Sequence, residues 1–495
     1  MLHSHKSLQK PWQYAQLGLL LFPLLTPIGS LGLLLALVGT WRQHYKKIIQ
    51  RPLNWVLAIL SAWLVLIACF AFRPTDAFLG LFNFLPFFGF FAAFSALIQT
   101  PAQLRRIAQI LVFTSVPVVI LGLGQLFWGW ATPEAWKGVF GAFGCAIAPG
   151  GNPPGRMASV FIYTNLLAGY LVIVFILSLG LWIESFQKTG VRSQESGVRS
   201  QEPGVRSQES EVRSQEPGVR SQESGEESEG SENENSIFYP KSKIQNPKSK
   251  IQNRIATRVF LTMAVLGNLV ALILTNSRNA WAIAICAGIA FAIYLRWHWL
   301  TAVVGVIASC VLLAAFGPAP LQQPLRQIVP SYFWQRLTDQ LYPNRPVVSL
   351  RTTQWQFALK LTQQRPWTGW GLRNFQPLYE MQMHAWFGHP HSLYLMLTTE
   401  IGIPATLLFC GWVLWIFYQG VRLLLNWSSI NARDERDKLI FFSYLVALLA
   451  CILFNTVDVT IFDLRLNTLV WIVLSAVAGV VCHQGEAKLS SLPLQ

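Results

Sequence analysis

Charge is what this chain has least of. Asp, Glu, Lys and Arg make up 12% of its 495 residues, about half the share of a soluble domain, while 53% are hydrophobic. Such a balance excludes an ordinary soluble fold. Cysteine is sparse and unpatterned. Cys69, Cys145, Cys286, Cys310, Cys410, Cys451 and Cys482 lie mostly within apolar runs, without the spacing of a disulfide framework or of a zinc site, which argues against both. Acidic groups are scarcer than basic ones, and the net charge is +15. The cations sit at the ends of apolar runs and in one loop, so the expected partners are membrane lipids and phosphates, not nucleic acid.

Several apolar runs exceed the roughly 18 residues needed to cross a bilayer. They fall at 13–26, 28–41, 53–72, 77–98, 107–130, 157–183, 259–275, 280–296, 299–316, 392–418, 439–455 and 467–482. The expectation is an all-α, polytopic membrane protein of about 12 transmembrane helices with one large periplasmic loop. Residues 1–10 are short and mildly basic, and the run that follows reads as a first span and not a cleavable leader. The first two runs, separated by Pro27-Ile28-Gly29-Ser30, are either one kinked helix or a tight hairpin. Arg42, Lys46, Lys47 and Arg51 mark one cytoplasmic loop and Arg105 with Arg106 another. Parity then favours the hairpin and two cytoplasmic termini in the inner membrane.

The chain divides into N-terminal spans (1–186), an insert (187–256), central spans (257–316), a periplasmic loop with short helices (317–391), and C-terminal spans with a tail (392–495). The insert holds five seven-residue units of the type Gly-Val-Arg-Ser-Gln-Glu-Ser, followed by two copies of Pro-Lys-Ser-Lys-Ile-Gln-Asn. Each seven-residue unit carries one Val and no second apolar position, so no coiled-coil seam forms. Residues 188–254 contain 11 basic and 11 acidic side chains. This composition reads as a disordered cytoplasmic linker without a catalytic part.

The large loop carries seven Lys/Arg against Asp339 and Glu380. The topology places it beside the loops at 131–156, 276–279 and 455–467. Arg156, after Gly155, stands at the mouth of a run, where a guanidinium can fork onto phosphate oxygens or simply snorkel. Arg278, in Thr275-Asn276-Ser277-Arg278-Asn279, interrupts two apolar runs, and an Arg near bilayer depth is a functional candidate. Arg351, Trp355, Ala358 and Thr362 share one face of a helix that Pro366 ends. The loop tryptophans are expected to pack onto the bilayer. His389 and His391 close the loop at His389-Pro390-His391-Ser392. An imidazole there can take a proton from a sugar hydroxyl or be mere surface polarity. Asp458 adds a carboxylate able to orient a histidine, while Asp463 and Arg465 are expected to pair locally.

These elements, in this order, resemble the O-antigen ligase and polymerase superfamily of bacterial envelope glycosyltransferases. The resemblance runs from about residue 152 to 411, outside the insert. It rests on Gly155-Arg156 with Ser159, Phe161 and Asn165; on Ser277-Arg278; on the block 351–375 with Pro366, Gly369, Gly371 and Asn374-Phe375; and on His391-Ser392-Leu393-Tyr394-Leu395 through Glu400-Ile401-Gly402. It implies transfer of a glycan from an undecaprenyl-diphosphate carrier to lipid A-core or another glycan acceptor, with no metal and no cofactor. Arg156 and Arg278 would hold the diphosphate and His391 would be the catalytic base. Arg351, His389 and Asp458 would position the acceptor. One departure is Ser392, where family members often carry Asn.

A polymerase acting on the same carrier fits equally. Some cyanobacterial members of the superfamily are named as inorganic-carbon transporter-like proteins. Transport predicts ionisable groups midway along several spans, whereas the polar candidates here collect at one face.

Overall fold

The computed structural model describes residues 8–187, 247–338, 340, 346–427 and 432–490. The repeats at 188–246, and with them the linker expectation, lie outside the described residues, as does Asp339. All regular structure among the described residues is helical. Nine of these helices are long and apolar enough to cross a membrane, so the chain is an all-α polytopic membrane protein.

The sequence predicts twelve crossings, and the difference lies in three helices. Two are short, α1 (Gln9–Leu21) and α10 (Arg278–Tyr294), and α2 (Thr26–Gln50) ends in a polar, basic stretch. α1 and α2 form an antiparallel hairpin, in which a Cβ added to Gly18 would lie 2.8 Å from the Leu33 nitrogen and one on Gly39 3.0 Å from Pro11 Cγ. The turn falls at 22–25, not at Pro27. That proline instead opens α2, where the first-turn N–H groups lack helical partners anyway. The basic stretch read as a loop is helical up to Gln50.

The remaining spans are α3 (Pro52–Cys69), a broken pair α4 (Pro74–Leu81) and α5 (Leu85–Leu97), α6 (Pro101–Phe127), α8 (Thr164–Phe186), α9 (Pro247–Leu274), α11 (His298–Phe316), α16 (Leu393–Leu425), α17 (Ala432–Phe454) and α18 (Leu464–Ser490). A short α7 (Lys137–Ala142) lies in the loop after α6. α9 starts at Pro247, inside the stretch assigned to the insert. The apolar windows of α8 and α18 are each 83% buried and that of α11 only 11%, so α8 and α18 form the centre and α11 the lipid-facing edge. α6 begins with a capping box, in which the Thr100 hydroxyl accepts the Gln103 N–H and the Gln103 side chain returns to the Thr100 N–H.

The large loop folds into α12 (Ala319–Ile328), α13 (Ser331–Leu337), α14 (Arg351–Gln364) and α15 (Phe375–Met383). α14 and α15 share a small core of Phe357, Leu361, Phe375 and Tyr379. The segment between them docks on α16 through backbone hydrogen bonds. Trp370 N–H donates to the Thr399 carbonyl (2.9 Å), Gly371 N–H to Glu400 (2.9 Å), and Ile403 N–H to Pro366 (2.8 Å). Such close approach needs glycine on both sides. Gly369 (φ +67°) and Gly402 (φ +81°) are left-handed, and a Cβ on either would come within 2.5 Å of the other segment's backbone.

Candidate active site

The helix holding Asn165 begins later than the hydropathy suggests. Residues 157–163 are not helical, and α8 starts at Thr164. The segment before it is folded into the protein and held by side chains. The Gln125 carbonyl oxygen accepts N–H groups from Ala158 (3.0 Å) and Ser159 (2.8 Å), and Met157 N–H donates to Leu274 O at 3.0 Å. Arg156 is therefore only 7% exposed, and it does not sit at a lipid-facing span mouth. Its Nε donates to the Thr275 carbonyl (3.0 Å) and its Nη2 to Asn165 Oδ1 (3.1 Å).

Two more arginines meet the same turn. Arg278 Nη1 donates to the carbonyls of Arg336 (3.4 Å) and Leu337 (3.2 Å). Buried Arg336 donates from Nε to the Asn276 carbonyl at 3.1 Å. Three guanidinium groups thus gather around residues 275–278. Arg336 has no apolar pattern or motif around it that marks it in the sequence.

From Arg156 a polar chain runs on to the histidines. Asn165 Nδ2 donates to Asp458 Oδ2 at 2.7 Å. The other oxygen, Oδ1, accepts the Val459 N–H at 2.9 Å and lies 3.6 Å from His391 Nδ1. That gap exceeds a hydrogen bond, and the Nδ1 atom is buried without a hydrogen-bond partner. A shift of under about 1 Å closes it, and catalytic contacts are commonly long before substrate binds. Burial pushes the Asp458 carboxyl up, but the imidazoles of His391 and His389 and the Val459 N–H outweigh it and hold it below its ordinary value.

His391 adopts a left-handed backbone (φ +50°), and its N–H donates to His389 Nδ1 at 3.1 Å. The Trp355 indole N–H fixes the intervening Pro390 carbonyl at 2.9 Å. His389 stacks on Phe462, with ring centroids 5.6 Å apart. Burial, then the neighbouring His391, lowers its pKa to about 4; Asp458 opposes the shift and Arg351 adds to it. Arg351 opens α14, close enough for its charge to be felt at His389. Ser392 is the N-cap of α16, its hydroxyl accepting the Leu395 N–H at 3.5 Å. Ser and Asn are both favoured N-caps, which gives the departure at this position a physical reading.

His389, His391 and Asp458 bring one ligand-type atom each within 4.8 Å of one another. A cation there would compete for the His389 Nδ1 lone pair, which already accepts an N–H. A ligand from His389 would then have to be its Nε2 atom.

The two histidines open onto a cleft of about 620 Å³, lined also by Asn83, Tyr163, Arg373 and Gln376. Asn83 lies in the break between α4 and α5, a contribution that hydropathy conceals inside one apolar run. A second, apolar cavity of about 300 Å³, between α16, α17 and α18, also reaches Asn83. Arg156 and Arg278 line neither cavity. The tryptophans also divide: Trp355 and Trp370 hydrogen-bond inward to Pro390 and Leu361, while Trp367 and Trp386 are exposed. Asp463 and Arg465 face each other at 3.6 Å.

A comparison with curated proteins finds no match. Residues 263–410, which include Arg278, Arg351, His389 and His391 and leave out Arg156, Asn165 and Asp458, match a family model described as O-antigen ligase. Over that segment the chain carries an O-antigen ligase domain.

Proposed function

We propose that the chain transfers a glycan from an undecaprenyl-diphosphate carrier to a lipid or glycan acceptor, lipid A-core being one candidate. The reaction takes place without a metal at the periplasmic face of the inner membrane, with both termini cytoplasmic. The observation that carries this reading is the side-chain chain from Arg156 through Asn165 and Asp458 to His391, which unites a cationic pole with an oriented imidazole.

In this scheme His391 Nε2 removes the proton from the acceptor hydroxyl. The freed oxygen forms a bond to the anomeric carbon as the bond from that carbon to the diphosphate breaks, and the diphosphate departs with the electron pair. Asp458 stabilises the imidazolium that results. A diphosphate leaves as an anion, so it needs fixed positive charge and not a proton donor. In the proposal the arginine group around residues 275–278 supplies that charge, with Arg156 and Arg278 as the groups that meet the diphosphate once the carrier is bound. Arg351, His389 and Asp458 keep the acceptor side in register. The reading supports a ligase and a polymerase equally, since they differ only in acceptor.

In a membrane assay with carrier-linked glycan, His391→Ala and Arg278→Ala are each expected to abolish transfer at normal expression. Undiminished transfer in both variants would overturn these assignments.

A further inference from the structure

Among the described residues, the lining of the histidine cleft contains one guanidinium, Arg373, two imidazoles and no carboxylate side chain. The Asp458 carboxylate sits behind His391, outside that lining. Arg373 is exposed, yet its backbone is tightly fixed. It holds a left-handed conformation (φ +59°). Glu400, 1% exposed, accepts the N–H of Phe375 at 3.4 Å and engages that of Arg373. On the next residue, buried Asn374 accepts the Arg73 N–H at 2.7 Å. The side-chain stem crosses α4, where a Cβ added to Gly80 would lie 3.2 Å from Arg373 Cγ. A cation held this way loses little freedom on meeting an anion.

The rest of the wall is aromatic. Tyr163, Trp386, Phe387 and Phe462 line the same cleft, and Trp386 is 67% exposed. Flat apolar rings pack against the C–H faces of a pyranose, while Tyr and Trp keep a polar edge for its hydroxyls. The volume of about 620 Å³ lies within the usual range for a small-molecule site.

We infer that this cleft takes a sugar bearing a negative charge, with Arg373 as its anion anchor and the aromatic wall packing its ring. The charge is either a uronate carboxylate or a sugar phosphate, both of which a guanidinium grips with paired N–H donors. That this sugar belongs to the transferred or accepting glycan rests on the reaction proposed above. Glu400 is a positioning residue that acts through the Arg373 backbone.

The full chain, purified in detergent, is tested by saturation-transfer NMR against glucuronate, glucose 1-phosphate and glucose. At least one anionic sugar is expected to bind about 10-fold or more tightly than glucose. A lead for glucuronate marks a carboxylate site, and a lead for glucose 1-phosphate marks a phosphate site. Arg373→Ala erases the preference, Arg373→Lys retains part of it, and His384→Ala at an exposed helix end behaves as the parent. Melting temperatures verify that each variant folds, and Arg373→Gln replaces the alanine variant should that one fail. Equal binding of glucose, no binding of any probe, or an unchanged preference in folded Arg373→Ala overturns the inference. Binding is read without turnover, so transfer that survives in His391→Ala would sink the reaction scheme and leave the anion preference standing.

Discussion

Where α2, α6, α8, α17 and α18 meet at one end of the bundle, Arg51 and Lys47 pair with Glu486, and Arg105 bridges Glu184 (2.7 Å) and Asp437 (2.8 Å). At the opposite end Arg156, Arg278 and Arg336 donate to backbone carbonyls, and Asp458 is given to imidazoles and an amide. A carboxylate shared between two helices ties them together, whereas a backbone carbonyl fixes the direction of the guanidinium that donates to it. The first end is therefore a set of clamps between helices. The second gathers three guanidinium groups on one turn, joined by a polar chain to a histidine, the grouping on which the proposed departure of a diphosphate relies.

The sharpest way to break this contrast is at Asp458. Asp458→Asn keeps the shape and the Asn165 side of the chain but removes the charge facing His391. Transfer is expected to fall about a thousandfold, within the usual range for losing general acid–base help, with melting little changed. A variant that transfers at the parent rate would show that the carboxylate is structural, and the two ends would then differ less than proposed.

A smaller effect separates the ends by pH. His389 is held neutral, with its pKa lowered to about 4, so the unfolded chain takes up a proton before the folded one does. Its contribution to stability is therefore present above the ordinary value near 6.5 and fades as pH drops towards about 4. Asp458, also lowered, acts in the same direction further into acid. The loss is roughly 2–3 kcal/mol at most, from the size of the His389 shift. Melting followed from pH 7 to pH 4 should show that slope in the parent and a flatter one in His389→Gln. Parallel slopes would mean that His389 titrates as an ordinary surface imidazole.

How far the sequence reveals these ends depends on the kind of signal. The apolar runs mark the helices because a bilayer demands about 20 apolar residues whatever their neighbours. His389, His391 and Asp458 stand out as rare polar groups at the edges of such runs. Hydropathy fails where an apolar stretch is buried without being helical. Residues 157–163 look like the start of a span, so Arg156 is assigned to the headgroups when it is folded inside. The same blindness hides Asn83 within one run that the structure breaks. Trp355 and Trp370 read as membrane anchors because composition cannot show which way an indole turns. Asn165 is visible as a family-like residue, but its bond to a carboxylate 293 positions away is a product of tertiary packing alone.

The clamp end sets the lower bound of the comparison. Arg105 is 26% exposed while its partner Glu184 is 11% exposed, so Arg105→Ala leaves a mostly buried carboxylate without its cation. The expected cost is about 1–2 kcal/mol, below the figure for a fully buried pair because water still reaches the arginine. Lys47 and Glu486 are 38% and 43% exposed, and Lys47→Ala should cost under about 0.5 kcal/mol. Both are read as shifts in melting temperature in detergent, beside transfer measured per folded molecule. Unchanged transfer in both variants fits a purely mechanical end. A large loss of transfer in Arg105→Ala at full stability would mean that the clamps reach across the bilayer to the site, and the division between the two ends would have to be abandoned.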